Sequence, residues 1–142
     1  TIGEGEIDMV DLEAMLYHEL HHIVRGYNGF RHDLTLLDTV LAEGLATDYE
    51  LENARPDRKM THHKHTPALV KKWLPELKKE LNSNKYDYWS WFHGRGKPKQ
   101  LGYKLGKYLV DQIRKEHPQL TQKDLATLDS RKLLQMSKIT FE

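Results

Sequence analysis

Between residues 11 and 25, apolar Leu12, Met15, Leu16, Leu20 and Ile23 recur at intervals of three and four, with no proline or glycine until Gly26. That spacing gathers them on one side of an α-helix and predicts a helix over 11–25, stopped by Gly26. Arg25 stands where a cation complements the helix dipole. The period returns at Leu36, Leu37, Val40, Leu41 and Leu45, predicting a second helix over 36–50. A third is predicted over 67–81, with Thr66 as its cap and Pro67 in its first turn, burying Leu69, Val70, Trp73, Leu77 and Leu81; Pro75 is expected to kink or divide it. The aromatic stretch 86–92 fits helix or extended chain equally. Residues 100–117 predict a long helix ending before Pro118, and Gly102 and Gly106, four apart, offer a face for close packing. Thr121 to Asp124 has the form of a helix-start cap, and a short helix is predicted from Ser130 to Met136.

These elements predict a mainly α fold in one domain, 1–142, with a small strand contribution confined to the start. At 142 residues the chain is long enough to bury a core without covalent staples. It has no cysteine, which removes disulfides, thiolate metal sites and thiol catalysis and fits a reducing compartment; the expected location is the cytoplasm. No apolar run approaches the length of about 18 residues that spans a membrane. Thr1 stands where a starting Met is expected, so an upstream part, including strands or a targeting segment, is expected to be missing. Net charge is +1 with 30% charged residues. Lysines cluster at 71–79 and 97–107 near Trp73, Trp89 and Trp91, but the balancing acids remove the field that nucleic-acid binding exploits, so no nucleic-acid partner is expected.

One helical stretch carries chemistry. His18-Glu19-Leu20-His21-His22 matches HExxH, in which histidines four apart on one helix face aim two imidazoles at one ion. Glu19 points about 100° around the helix from His18, off the ion but beside a water there, as a general base must. His21 falls on another face and is expected near the site or in solvent. A catalytic zinc takes three protein ligands and leaves a fourth position open. The metzincin continuation would need glycine and histidine at positions occupied by Arg25 and Asn28, which closes that route. Glu43 is the leading third candidate: it lies by the apolar stripe of the second helix, flanked by Ala42, Gly44 and Ala46, whose small side chains would let that helix approach the first. His32, in the turn after Gly26, is the other candidate.

The blocks YHELHHIVR, LLDTVLAEGLA and LGYKLGKYLV, in that order, resemble the YjaZ-like family of predicted zinc-dependent proteases, in the gluzincin style, and with their spacers span about residues 10–140. The resemblance implies a zincin-like helical domain, α+β in a longer chain, with zinc held by His18, His22 and Glu43 and Glu19 as general base. Better-known gluzincins place an acidic residue four positions after the third ligand to orient a histidine; here that position is Thr47, leaving Asp38, Asp48 and Glu50 as candidates.

Zinc peptidases also need a donor for the developing oxyanion, and Tyr103 in GYKLG and His93 in WFHGRG are the candidates. His62, His63 and His65 form a histidine-rich tract read as a solvated loop near the cleft mouth rather than a second metal site. The expected function is therefore a zinc metallopeptidase acting on a peptide or protein substrate. Two alternatives are a non-catalytic zinc-containing helical scaffold and a peptide- or nucleic-acid-binding module. Intact Glu19 argues against a purely structural site. Oligomeric state has no signal in the sequence.

Overall fold

The computed structural model describes residues 9–27, 33–54 and 63–139, with side chains from Leu12 onward. Among these residues the fold is all helix, in the order α1 (Met9–Arg25), α2 (Leu36–Asn53), α3 (Pro67–Glu80), α4 (Tyr88–His93), α5 (Leu101–Glu116), α6 (Gln122–Thr127) and α7 (Ser130–Met136). The strand expected at the start falls largely outside the described residues.

Helix α2 is the centre. Its N-terminus is fixed by a capping box in which Thr35 and Asp38 satisfy each other's backbone N–H groups. Two further donors of its first turn are satisfied by the chain after α3, through Leu36 N–H to Ser83 O at 2.9 Å and Leu37 N–H to Leu81 O at 3.0 Å. Nearly every α2 side chain from Leu36 to Glu50 is buried, because α1 covers one side and α5 another. The apolar core joins Leu37, Val40, Leu41 and Leu45 of α2 to Leu101, Leu105, Leu109 and Ile113 of α5, closed by Trp91 and Phe92 of α4 and by single leucines of α6 and α7. Helix α3 runs through Pro75 without dividing, and buries Val70 and Leu77.

Gly44 was expected to let α2 approach α1, but its close neighbour is α5. A Cβ on Gly44 would lie 2.4 Å from the carbonyl carbon and oxygen of Gly106, and one on Gly106 would lie 2.3 Å from Val40 O. The two backbones touch, so neither position has room for a methyl group. Gly102, the other half of the expected small-residue face, instead receives the Phe92 ring.

Helix α1 turns its apolar stripe outward. Met15, Leu16, Leu20 and Ile23 are 50%, 62%, 44% and 75% exposed, while Ala14, His21 and His22 are buried. The side packed on α2 is the histidine side. Periodicity located the apolar stripe correctly but not its direction, since polar groups that pair across a helix interface can be the buried ones. Arg25 also acts elsewhere than on its own helix: its guanidinium donates to Leu128 O at 2.8 Å and Leu125 O at 3.2 Å, capping the C-terminal end of α6.

Candidate metal centre and cleft

Where α1 crosses α2, His18 and His22 face Glu43. Glu43 Oε2 lies 2.8 Å from His18 Nε2 and Oε1 lies 3.1 Å from His22 Nε2, so one carboxylate spans both imidazoles. The rings are 4.7 Å apart and nearly perpendicular. On the far side of the first ring, His18 Nδ1–H donates to Glu50 Oε1 at 3.0 Å. Glu50 is 1% exposed and sits seven residues after Glu43, two turns along the same face of α2.

The electrostatics follow from that enclosure. Burial alone would push His18 down, but its hydrogen bonds to Glu43 and Glu50 outweigh burial and raise its pKa to about 9. Burial would likewise raise the Glu43 carboxyl, yet the two imidazoles beside it bring it down to about 2. His21, also buried, is pushed down to about 4 by desolvation and by the neighbouring His22 and Arg25. It packs against the Tyr49 ring at 5.6 Å and is neither solvated nor part of the cluster.

A cleft of about 590 Å³ opens over this cluster. Met15 and Glu19 of α1 form one wall, with Glu19 exposed to it; Tyr88, Phe92, His93, Lys99, Gln100 and Tyr103 form the other. Tyr103 reaches the site from the first turn of α5, its ring 6.4 Å from that of His18 and edge-on to Phe92 at 5.2 Å. Burial first, and then the charge of Glu43, raise its hydroxyl pKa, so it stays neutral and able to donate. It shares a hydrogen bond with Tyr88. His93 lies at the mouth, exposed, its ring 4.8 Å from that of Trp89. Tyr27 also lines the cleft, its ring 4.7 Å from that of His22.

The residues expected at the site thus converge: His18, His22 and Glu43 at the base, Glu19, His93 and Tyr103 on the walls. His32 and His62 lie outside the described residues. His65 is drawn away to Asp111 of α5, Nε2 to Oδ2 3.0 Å. Among the three acids considered for orienting a histidine, Asp38 is used by Thr35 and Ser130, and Asp48 by Arg114 and Lys107; only Glu50 reaches His18. Tyr27, Tyr88, Lys99 and Gln100 carried no site signal in the sequence, because they reach the cleft through loop and short-helix geometry rather than through a spacing rule.

Among the described residues, His18, His22 and Glu43 are the one group able to hold a metal ion, with ligand atoms all within 4.8 Å of one another. Two imidazole nitrogens and a carboxylate suit zinc, whose tetrahedral ligands stand roughly 3.3 Å apart, and the cleft leaves a further side open. A family model described as "Predicted Zn-dependent protease (DUF2268)" matches residues 1–135. The chain belongs to this family. It is the family that the three sequence blocks resemble. No curated protein and no solved structure matches the chain. No helix among the described residues is long and apolar enough to cross a membrane.

Proposed function

We propose that the chain is a zinc-dependent metallopeptidase that hydrolyses peptide bonds in the cleft between α1 and the α4–α5 wall. The observation that carries this reading is the meeting of His18, His22 and Glu43 at the base of a cleft whose wall presents Glu19. A zinc ion held by those three residues would supply Lewis-acid activation of water and of the scissile carbonyl.

The protein's own groups supply the rest. Glu19, one residue beyond His18 and directed into the cleft, takes a proton from water and returns it to the departing amine. Glu50 holds His18 through Nδ1, which would leave Nε2 to serve as the ligand of a bound zinc. Tyr103, neutral and beside His18, donates to the oxygen on which negative charge develops, with His93 as a second donor at the mouth. The family description supports the same activity.

The test is metal content together with turnover. Protein purified without chelator and supplied with zinc is expected to hold about one ion per chain, to cleave an unfolded protein or a quenched peptide library, and to lose both properties to a chelator. Stoichiometric zinc without turnover across a broad library would leave a zinc-holding scaffold; zinc content near zero would remove the metal centre.

A further inference from the structure

The wall opposite Glu19 carries two side chains that the proposed chemistry does not use. Lys99 and Gln100 both line the cleft, and among the described residues Lys99 is the one lysine or arginine that does so. The other charged or ionisable groups on the cleft are carboxylates, imidazoles and phenols. Both are exposed to the cleft, and neither has a side-chain partner among the described residues, so their donors are open to a ligand there.

The local backbone holds the pair in place. Gly94 ends α4 in the left-handed region at φ 79, and a Cβ there would lie 3.1 Å from Lys99 Cγ and 3.2 Å from Lys99 Cα. The bare glycine thus seats the lysine stem against the end of α4. Gln100 itself adopts φ 60 and ψ 27, a conformation uncommon outside glycine. It occupies the cap position of α5, yet its side chain makes no cap hydrogen bond and lines the cleft instead. A strained residue that forgoes its local bond is kept by something other than helix capping, and such strain gathers at ligand clamps.

An ammonium and a carboxamide N–H from consecutive residues that line one cleft can form a charge-assisted donor pair for a carboxylate. We propose that Lys99 and Gln100 form a carboxylate-reading subsite, and that the peptides this cleft takes carry a carboxylate next to the scissile bond. The assignment rests on the peptidase reading above. An acidic side chain and a C-terminal carboxylate present the same group, and the experiment separates them.

The experiment compares matched quenched peptides differing only as Glu or Gln beside the scissile bond, each as free acid and as C-terminal amide. The wild type is expected to favour the carboxylate-bearing peptide by about five- to tenfold in kcat/KM, mostly through KM, the range for a pair between exposed and desolvated. In Lys99→Met that preference collapses, and in Lys99→Glu it turns toward peptides with Lys at the same place. Gln100→Gly, which relieves the left-handed backbone, is expected to raise the melting temperature while lowering the preference. If the amidated peptides still show Glu favoured over Gln, the side chain is what is read; if free acid is favoured over amide whichever side chain is present, the C-terminus is. Glu-to-Gln and acid-to-amide ratios that are both the same in wild type and Lys99→Met, with the peptides cleaved, overturn the subsite. If no peptide is cleaved, the peptidase reading fails, and fluorescence-anisotropy binding of the same peptides to zinc-loaded wild type and Lys99→Met decides the subsite by the same ratio.

Discussion

His18 is clamped between two carboxylates of one helix: Nδ1–H donates to Glu50 at 3.0 Å while Nε2 lies 2.8 Å from Glu43. The two acids are seven residues apart, so two turns of α2 bring both to the same face, with one on each edge of the ring. With a metal bound, the bond to Glu50 would fix the tautomer in which Nε2 is the ligand atom.

Glu50→Gln is therefore expected to weaken zinc binding by about 10- to 100-fold, read by competition with a chromophoric chelator. Glu50→Ala leaves a buried N–H without an acceptor and is expected also to cost about 1–3 kcal/mol of stability. Cobalt substitution gives an independent reading, since a loosened His18 alters the ligand-field spectrum. Unchanged affinity and an unchanged cobalt spectrum in both variants would remove Glu50 from the centre.

The pH dependence of the metal-free protein follows from the same contacts. His18 is raised to about 9, so its stabilisation is complete below its ordinary value of 6.5 and is lost as pH rises through about 9. Glu43 is lowered to about 2, so its share is present above its ordinary 4.5 and is lost only as pH falls toward about 2. His21 acts in the opposite sense to His18: held neutral by burial down to about 4, it loses stability as pH falls below 6.5. The chelated protein should melt highest near pH 6.5, with His18→Gln flattening the alkaline limb and His21→Phe flattening the acid one. Thermal melts over that range check it, and an alkaline limb that survives His18→Gln would contradict the assignment.

Gly44→Ala should be severe although it adds one methyl group. The new Cβ would meet the Gly106 backbone rather than a side chain that could turn aside. A loss of about 3 kcal/mol is expected, at the upper end of overpacking costs, with α2 pushed off α5 and Glu43 carried along. Zinc affinity should fall together with melting temperature. Gly26→Ala, at a position with nothing within 4 Å, serves as a control for backbone strain at φ 77 without a clash. Equal stability of wild type and Gly44→Ala would mean that the helices are not in backbone contact.

Much of this was legible in the sequence, with limits that have physical causes. The helices at 36–50, 67–81 and 100–117 were marked by apolar period and capping residues, and the structure begins and ends them within a few residues of those bounds. His18, His22 and Glu19 were legible because HExxH is a spacing rule on a single helix. Glu43 needed a second helix at the right crossing, which no local rule supplies, yet its small neighbours placed it beside the chemistry. The partner of Gly44 was misread because a small residue announces close approach without naming what approaches. Which side of α1 is exposed was not legible, because Leu16, Leu20 and Ile23 satisfy the core pattern while the histidines pack inward. Lys99 and Gln100 depend on a left-handed backbone that a non-glycine sequence does not advertise.

The central claim is that Glu19 works as the general base beside a metal held by its neighbours, and Glu19→Gln tests it most directly. The amide keeps the size and shape of the carboxylate but cannot accept the proton. Zinc content and melting temperature are expected to stay within error of the wild type, while kcat/KM on a quenched peptide falls by roughly 10²- to 10⁴-fold. Turnover by Glu19→Gln equal to that of the wild type, at equal zinc content, would contradict the account.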